Sequence, residues 1–299
     1  MLLLAAFLWG TTFVAQTSAA DTVECFTFNA SRSVLATVFL GIIILVNMPR
    51  EKIINPDAKN DKGWILGGAI CGALLFLASY LQQFGISVYP EDAAASGRSG
   101  FLTATYVVMV SVYSIFAERK MHLPIVVATI GCMAGMYLLC LSNGIDRLYT
   151  GDIYVFLCAV VFAIHLLVID KFSKSSGIKM SFMQFAVCGL LSFICMLIFE
   201  TPSWSVILDS KFEIMYAGIF SSGIAYTLQI IGQKGTNPTA ASIILSLESV
   251  FALLAGWAID KENLPAKQIF GCILVFLSVI LAQLPDNIFS LKKSTSQKT

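Results

Sequence analysis

Glu248, His165 and Arg98 are ionisable residues set inside apolar runs long enough to cross a membrane. A charge at the centre of a membrane helix costs about 2.5–3.5 kcal/mol on insertion scales. Each is therefore expected to face a cavity, a partner or an interface. Glu248 falls near the middle of its run. A carboxyl in a low-dielectric site can exchange a proton near neutral pH, so Glu248, with His165, is the candidate proton-coupling pair. The plainer reading makes Glu248 a permanently protonated structural acid and His165 a satisfied polar contact. Arg98 lies near the start of its run, where it could anchor an anion, pair with an acid or snorkel to the interface.

Uncharged polar residues join them at helical spacing. Tyr226, Gln229 and Gln233 lie at i, i+3 and i+7, on one helical face. Ser79 and Gln82 share another face, with Gln83 beside them, and Thr105 follows Arg98 seven residues on, next to Tyr106. Trp9-Gly10-Thr11-Thr12 interrupts the first run, with Gln16 beyond it. Gly and Thr lower helical commitment there, so a local unwinding competes with plain packing. Three polar groups on one face would be costly in lipid, so these faces are expected to line a shared cavity.

The elements that must position these groups are membrane helices. The chain is 57% hydrophobic and 12% charged, with a mean hydropathy of +0.82, where a soluble domain carries about 25% charged residues. Its apolar runs approach the roughly 20 residues that span a bilayer core, and no β-barrel alternation is present. The expected fold class is an all-α polytopic membrane protein with ten spans: 2–19, 31–48, 64–84, 96–117, 123–141, 151–170, 180–200, 212–233, 238–259 and 265–284. The short connections leave no room for a soluble catalytic or nucleotide-binding module.

The pattern occurs twice. Gly100–Val108 aligns with Ser242–Val250, and Leu123-Pro124 and Gly131-Cys132 with Leu264-Pro265 and Gly271-Cys272. Five spans per copy is an odd number, so the second copy must enter the membrane inverted, a plan recurrent in secondary transporters. The expected division is a first repeat at 1–146, a second at 147–288 and a basic tail at 289–299. Arg50, Lys52, Lys59, Lys62, Arg119, Lys120, Lys171, Lys174, Lys179, Lys234 and the tail's lysines fall on one side of the membrane, against Arg147, Lys211, Lys261 and Lys267 on the other. By the positive-inside rule both termini are cytoplasmic. The start of the chain lacks a basic n-region and reads as a retained first helix; whether the N-terminus is complete stays open.

The cysteines, mostly inside apolar spans and without a C-x-x-C pair, read as small hydrophobes. No metal site and no cofactor is implied. Gly63-x-x-x-Gly67, Gly68-x-x-x-Gly72 and Gly131-x-x-x-Gly135 would let helices approach closely, within the chain in preference to across a homodimer. A net charge of +1 gives no hint of nucleic acid. The expected partners are the lipid bilayer and a small-molecule substrate.

Leu4–Val14, Ala95–Tyr106, Gly151-Asp152 and above all Ala225–Lys234 with Ala240–Phe251 resemble drug/metabolite transporter proteins of the EamA type. The resemblance spans nearly the whole chain. It implies ten helices in two inverted repeats, cytoplasmic termini, a cell inner membrane location and alternating access around a central cavity. Where the family often carries prolines after the glutamate of its ninth helix and in the matching run of the fourth, this chain has Ser249 and Ser111. On this reading the protein is not an enzyme but a secondary transporter of a small polar or amphipathic, amino-acid-like metabolite. Trp9, Gln82, Arg98, Tyr106, Tyr226 and Gln229 would contact the substrate, with Glu248 and His165 in proton coupling. The alternative is a membrane-embedded receptor or assembly factor that transports nothing. A membrane-embedded enzyme would need a nucleophile–base pair or a metal motif that the sequence lacks.

Overall fold

The computed structural model describes residues 1–20, 22–54, 62–90, 95–118, 123–141, 148–260 and 265–284, and the regular elements among them are all helical. Helix α1 runs Leu2–Ala20, α2 Cys25–Ile54, α3 Gly63–Ser87, α4 Ala95–Ala104, α5 Tyr106–Glu118 and α6 Leu123–Cys140. There follow α7 Thr150–Lys171, α8 Gly177–Phe199, the short α9 Trp204–Asp209 and α10 Lys211–Tyr216, and a π-helical segment Ala217–Ala225. Then come α11 Tyr226–Gly232, α12 Pro238–Leu245, α13 Leu247–Asp260 and α14 Ala266–Ala282. Among the described residues eight stretches are long and apolar enough to cross a membrane, and Leu2–Thr12 and Ala266–Ala282 are shorter apolar helices. The tail at 289–299 lies outside the described residues.

The distribution of side chains is that of a protein in lipid. Phe116, Phe199, Trp204 and Phe212 are largely exposed, while Ser181, Gln184, Ser222, Gln233, Thr239 and Ser242 are fully buried. Hydrocarbon offers no hydrogen-bond partners, so polar groups turn inward and apolar ones outward. The chain is a multi-pass α-helical membrane protein.

The closest packing is between the two halves of the chain. Helix α6 packs on α14, α2 on α8, α3 on α7 and α8, and α1 on α13 and the π-helical segment. Each contact has a counterpart five spans along: α1 with α13 is matched by α7 with α4 and α5, and α3 with α8 by the π-helical segment with α2. Small residues permit the approach. A Cβ on Gly135 would lie 2.9 Å from the carbonyl of Gly271, and one on Gly271 2.7 Å from the carbonyl of Gly135, so neither position has room for a side chain. The central cavity therefore lies on the interface between halves.

Helix α1 is continuous through Trp9–Thr12, so of the two readings of this stretch it is packing that holds. Thr12 donates from Oγ1 to the Leu8 carbonyl at 2.6 Å, an i−4 bond that leaves the ladder intact. Gly10 serves contact instead: a Cβ there would sit 2.5 Å from Phe251 Cβ and 2.6 Å from the Glu248 carbonyl.

The breaks fall elsewhere and need no proline. The expected fourth span is interrupted at Thr105, between α4 and α5, and the expected ninth at Ser246, between α12 and α13. Thr105 Oγ1 donates to the Leu102 carbonyl at 2.5 Å, and Ser246 Oγ to Ile243 at 2.7 Å. Hydroxyls bonding back on the previous turn bend helices. The two breaks fall within one residue of each other in the repeat alignment.

Helix α2 begins six residues before the expected start of the second span. Its N-terminus is held by a residue distant in sequence: Phe26 N–H donates to Glu200 Oε1 at 2.6 Å and Thr27 N–H to Glu200 Oε2 at 2.7 Å. A carboxylate here satisfies orphan N–H groups and the positive end of the helix dipole together. This extension carries Arg32 about two turns into the helix.

Candidate functional site

A cavity of about 90 Å³ lies between the halves, smaller than the roughly 150 Å³ of a cavity that takes benzene. Trp9 reaches it from α1, Gln82 from α3, Tyr106 from α5, His165 from α7, Tyr226 and Gln229 from α11 and Glu248 from α13. Of the expected substrate-contacting and proton-coupling residues, Arg98 is the exception. Its backbone belongs to α4, and its side chain lies outside the described residues, as does that of Gln16.

Tyr226 is the hub of the aromatic wall. Its ring meets Trp9 at 4.7 Å, Phe185 at 5.4 Å and His165 at 6.2 Å between centroids, each edge-on. Edge-to-face pairs of this kind hold an aromatic group in one orientation. Trp9 Nε1 donates to the Ser221 carbonyl at 3.4 Å. That carbonyl belongs to the π-helical segment, where the i to i+5 bond from Tyr226 N–H marks a widened turn. Single π-turns inside α-helices are frequent at functional sites. Here the turn leads directly into Tyr226 and Gln229. Tyr106 closes the other wall, donating from its hydroxyl to the Ser242 carbonyl at 3.3 Å.

Gln82 donates from Nε2 to Thr103 Oγ1 at 3.2 Å, joining α3 to α4. His165 donates from Nε2 to Gln184 Oε1 at 2.9 Å, tying α7 to α8. Gln229 is buried, and its Oε1 has no hydrogen-bond partner among the described residues. Glu248 is half-buried and lines the cavity.

Other polar residues from the sequence lie apart. Gln233 is fully buried and donates to the Leu166 carbonyl at 3.2 Å. Gln83 faces a separate lateral groove with Phe26 and Tyr80. Thr105 belongs to the helix break rather than to the wall.

Arg32 is the residue that sequence reasoning missed. It stood at the edge of the expected second span, where a charge needs no explanation. In the folded chain it is 7% exposed, lines the cavity, and donates from Nη2 to Ser79 Oγ at 3.3 Å. Its guanidinium lies 5.6 Å from the Phe28 ring centroid, a cation–π contact. The signal was present only as length: Cys25–Ala30 extends the helical run upstream, but its cap is supplied by Glu200 from another span.

Leu166 and Leu245, which line the cavity, belong to an apolar cluster with Leu2, Ala5, Val110 and Ala241.

A multi-pass helical protein with its polar groups gathered around a cavity between two interlocked halves has the form of a membrane transporter, and the comparisons agree. The profile of the EamA-like transporter family matches residues 1–141 and 149–284; the chain belongs to this family. A relative from Archaeoglobus fulgidus, described as an uncharacterized transporter, is 28% identical, the alignment covering 95% of this chain and 84% of the relative. A solved structure described only as the crystal structure of a protein shares the fold, with a TM-score of 0.78, 17% identity and 97% of each chain covered.

Proposed function

We propose that this membrane transporter moves a small polar or amphipathic, amino-acid-like metabolite by alternating access. The observation that carries the reading is the convergence of Trp9, Gln82, Tyr106, Tyr226, Gln229 and Glu248 on one cavity. Two inverted five-helix repeats, 1–146 and 147–288, rock about that cavity, with both termini cytoplasmic in the cell inner membrane. The matched inter-half contacts support the repeat, and the paired breaks at Thr105 and Ser246 supply places where the halves can flex. The apolar cluster around Leu166 and Leu245 closes one entrance. Opening it while the other entrance closes is the step that carries solute across.

Glu248 and His165 are the candidate proton carriers. Glu248 stands in the cavity beside Tyr106 and Tyr226, and His165 is held by Gln184 in a fixed orientation.

The test is a thermal-shift screen of the purified protein against amino acids, amines, nucleosides and cationic drugs, followed by flux in proteoliposomes. A ligand that binds the folded state raises the unfolding midpoint by mass action. Hits that are transported, and that are lost in Tyr226→Ala, bear out the cavity reading. Binding without flux would favour a non-transporting receptor. Glu248→Gln is expected to remove the pH dependence of uptake while the protein still folds; unchanged dependence would sink its coupling role.

A further inference from the structure

We infer that Arg32, with Ser79 and Gln82, forms a carboxylate subsite at one end of the cavity, and that the transported solute carries a single negative charge there. The inference rests on the transport reading and specifies the chemistry its substrate must have.

Three observations carry it. First, Arg32 is more than nine-tenths buried yet faces the cavity. Its described hydrogen-bond partner is a neutral hydroxyl, Ser79 Oγ, and among the described residues no acid forms an ion pair with it. A guanidinium carries several N–H donors in a planar fork, so one bond to Ser79 leaves most of that fork for another acceptor. Second, Ser79 and Gln82 lie three residues apart on α3 and both line the cavity. Gln82 is itself oriented by Thr103 from α4. Neutral hydrogen-bonding groups beside a cation suit an oxyanion that arrives and leaves, whereas a resident carboxylate would have cancelled the charge permanently.

Third, Glu248 lines the same cavity and does not pair with Arg32. Tyr226 lines the cavity with both. A buried guanidinium with no acid paired to it among the described residues calls for a solute that places a negative group against Arg32. One guanidinium balances one negative charge, so a dianion such as phosphate would leave its second charge uncompensated in the buried cavity. A carboxylate matches the guanidinium fork with two parallel bonds. At about 90 Å³, below the roughly 150 Å³ of a cavity that takes benzene, the cavity favours the smallest solutes, alanine before leucine.

The experiment compares isosteric acid and amide pairs on the full-length protein: L-alanine, L-leucine and L-phenylalanine, each against its amide. The pairs have the same shape and differ in the negative charge. Binding is read by thermal shift and flux by uptake into proteoliposomes. Wild type is expected to bind at least one acid about 10- to 100-fold more tightly than its amide, the scale of a hydrogen bond to a charged group. Arg32→Gln should erase that preference, and Arg32→Lys should keep part of it, since Lys retains the charge without the fork.

Ser79→Asp covers the case in which Arg32 variants fail to fold. It supplies an internal counter-ion to Arg32, and should abolish acid binding in a folded protein. Equal binding of acid and amide, no binding of any acid, or unchanged acid preference in Ser79→Asp would each overturn the inference. Flux of an amine or nucleoside that survives Arg32→Gln would leave the transport reading intact while removing the carboxylate subsite. Absence of flux for every solute would remove both.

Discussion

The carboxylate of Glu200, at the end of α8, caps the start of α2 at Thr27, taking both the Thr27 N–H and its hydroxyl, at 2.7 and 2.8 Å. The two residues are 173 apart in the chain. Their contact joins the two halves at one end of the bundle, and it lets α2 begin early enough to carry Arg32 into the cavity wall.

Removing that cap should cost stability and displace Arg32. Glu200→Ala is expected to lower unfolding free energy by about 1–2 kcal/mol, and Thr27→Val by less, measured by denaturant titration in detergent. The double variant should show coupling of about 0.5 kcal/mol or more. Additive losses would mean that the two residues act separately.

Gly10 is a packing residue. Its neighbours across α13 are backbone and Cβ atoms, which cannot swing aside, so Gly10→Ala should destabilise by about 1–3 kcal/mol through overpacking. Thermal unfolding of the purified variant decides the matter. A midpoint equal to wild type would show that α1 and α13 can part at no cost.

The His165–Gln184 pair predicts an asymmetry. Both residues are buried, and the Gln184 amide nitrogen already lacks a partner among the described residues. His165→Phe would orphan Gln184 Oε1 as well, at about 1–3 kcal/mol. Adding Gln184→Leu to that variant should recover much of the loss, because removing both partners of a buried hydrogen bond is far cheaper than removing one. If the double variant is less stable than the single, the pair is held by shape rather than by polarity.

Thr105 and Ser246 should govern the rate of transport more than its affinity. Each hydroxyl bonds back across a helix break that sits beside cavity residues, Thr103 and Tyr106 in one span, Leu245 and Glu248 in the other. Thr105→Ala combined with Ser246→Ala is expected to change maximal flux by roughly threefold or more, as hinge substitutions do, with binding by thermal shift little altered. Parallel loss of flux and binding would instead assign both residues to the architecture of the site.

Much of this was legible in the sequence, for reasons that belong to the membrane. Lipid demands long apolar helices and makes every buried polar group conspicuous, so the helical class, the span positions and most of the cavity wall could be read from Trp9, Gln82, Tyr106, His165, Tyr226, Gln229 and Glu248 as they stand in the chain. Local propensity could not place the helix breaks, because Gly10 looks like a weak point when considered alone and becomes a contact surface only when α13 lies against it. Nor could it find Arg32, since a charge at the edge of an apolar run is ordinary until a cap from Glu200 moves that edge. Composition and period act along the chain and determined what the elements are. Which face of each element is polar by design, and which charge enters the cavity, was decided by contacts between residues more than a hundred positions apart, which no local pattern encodes.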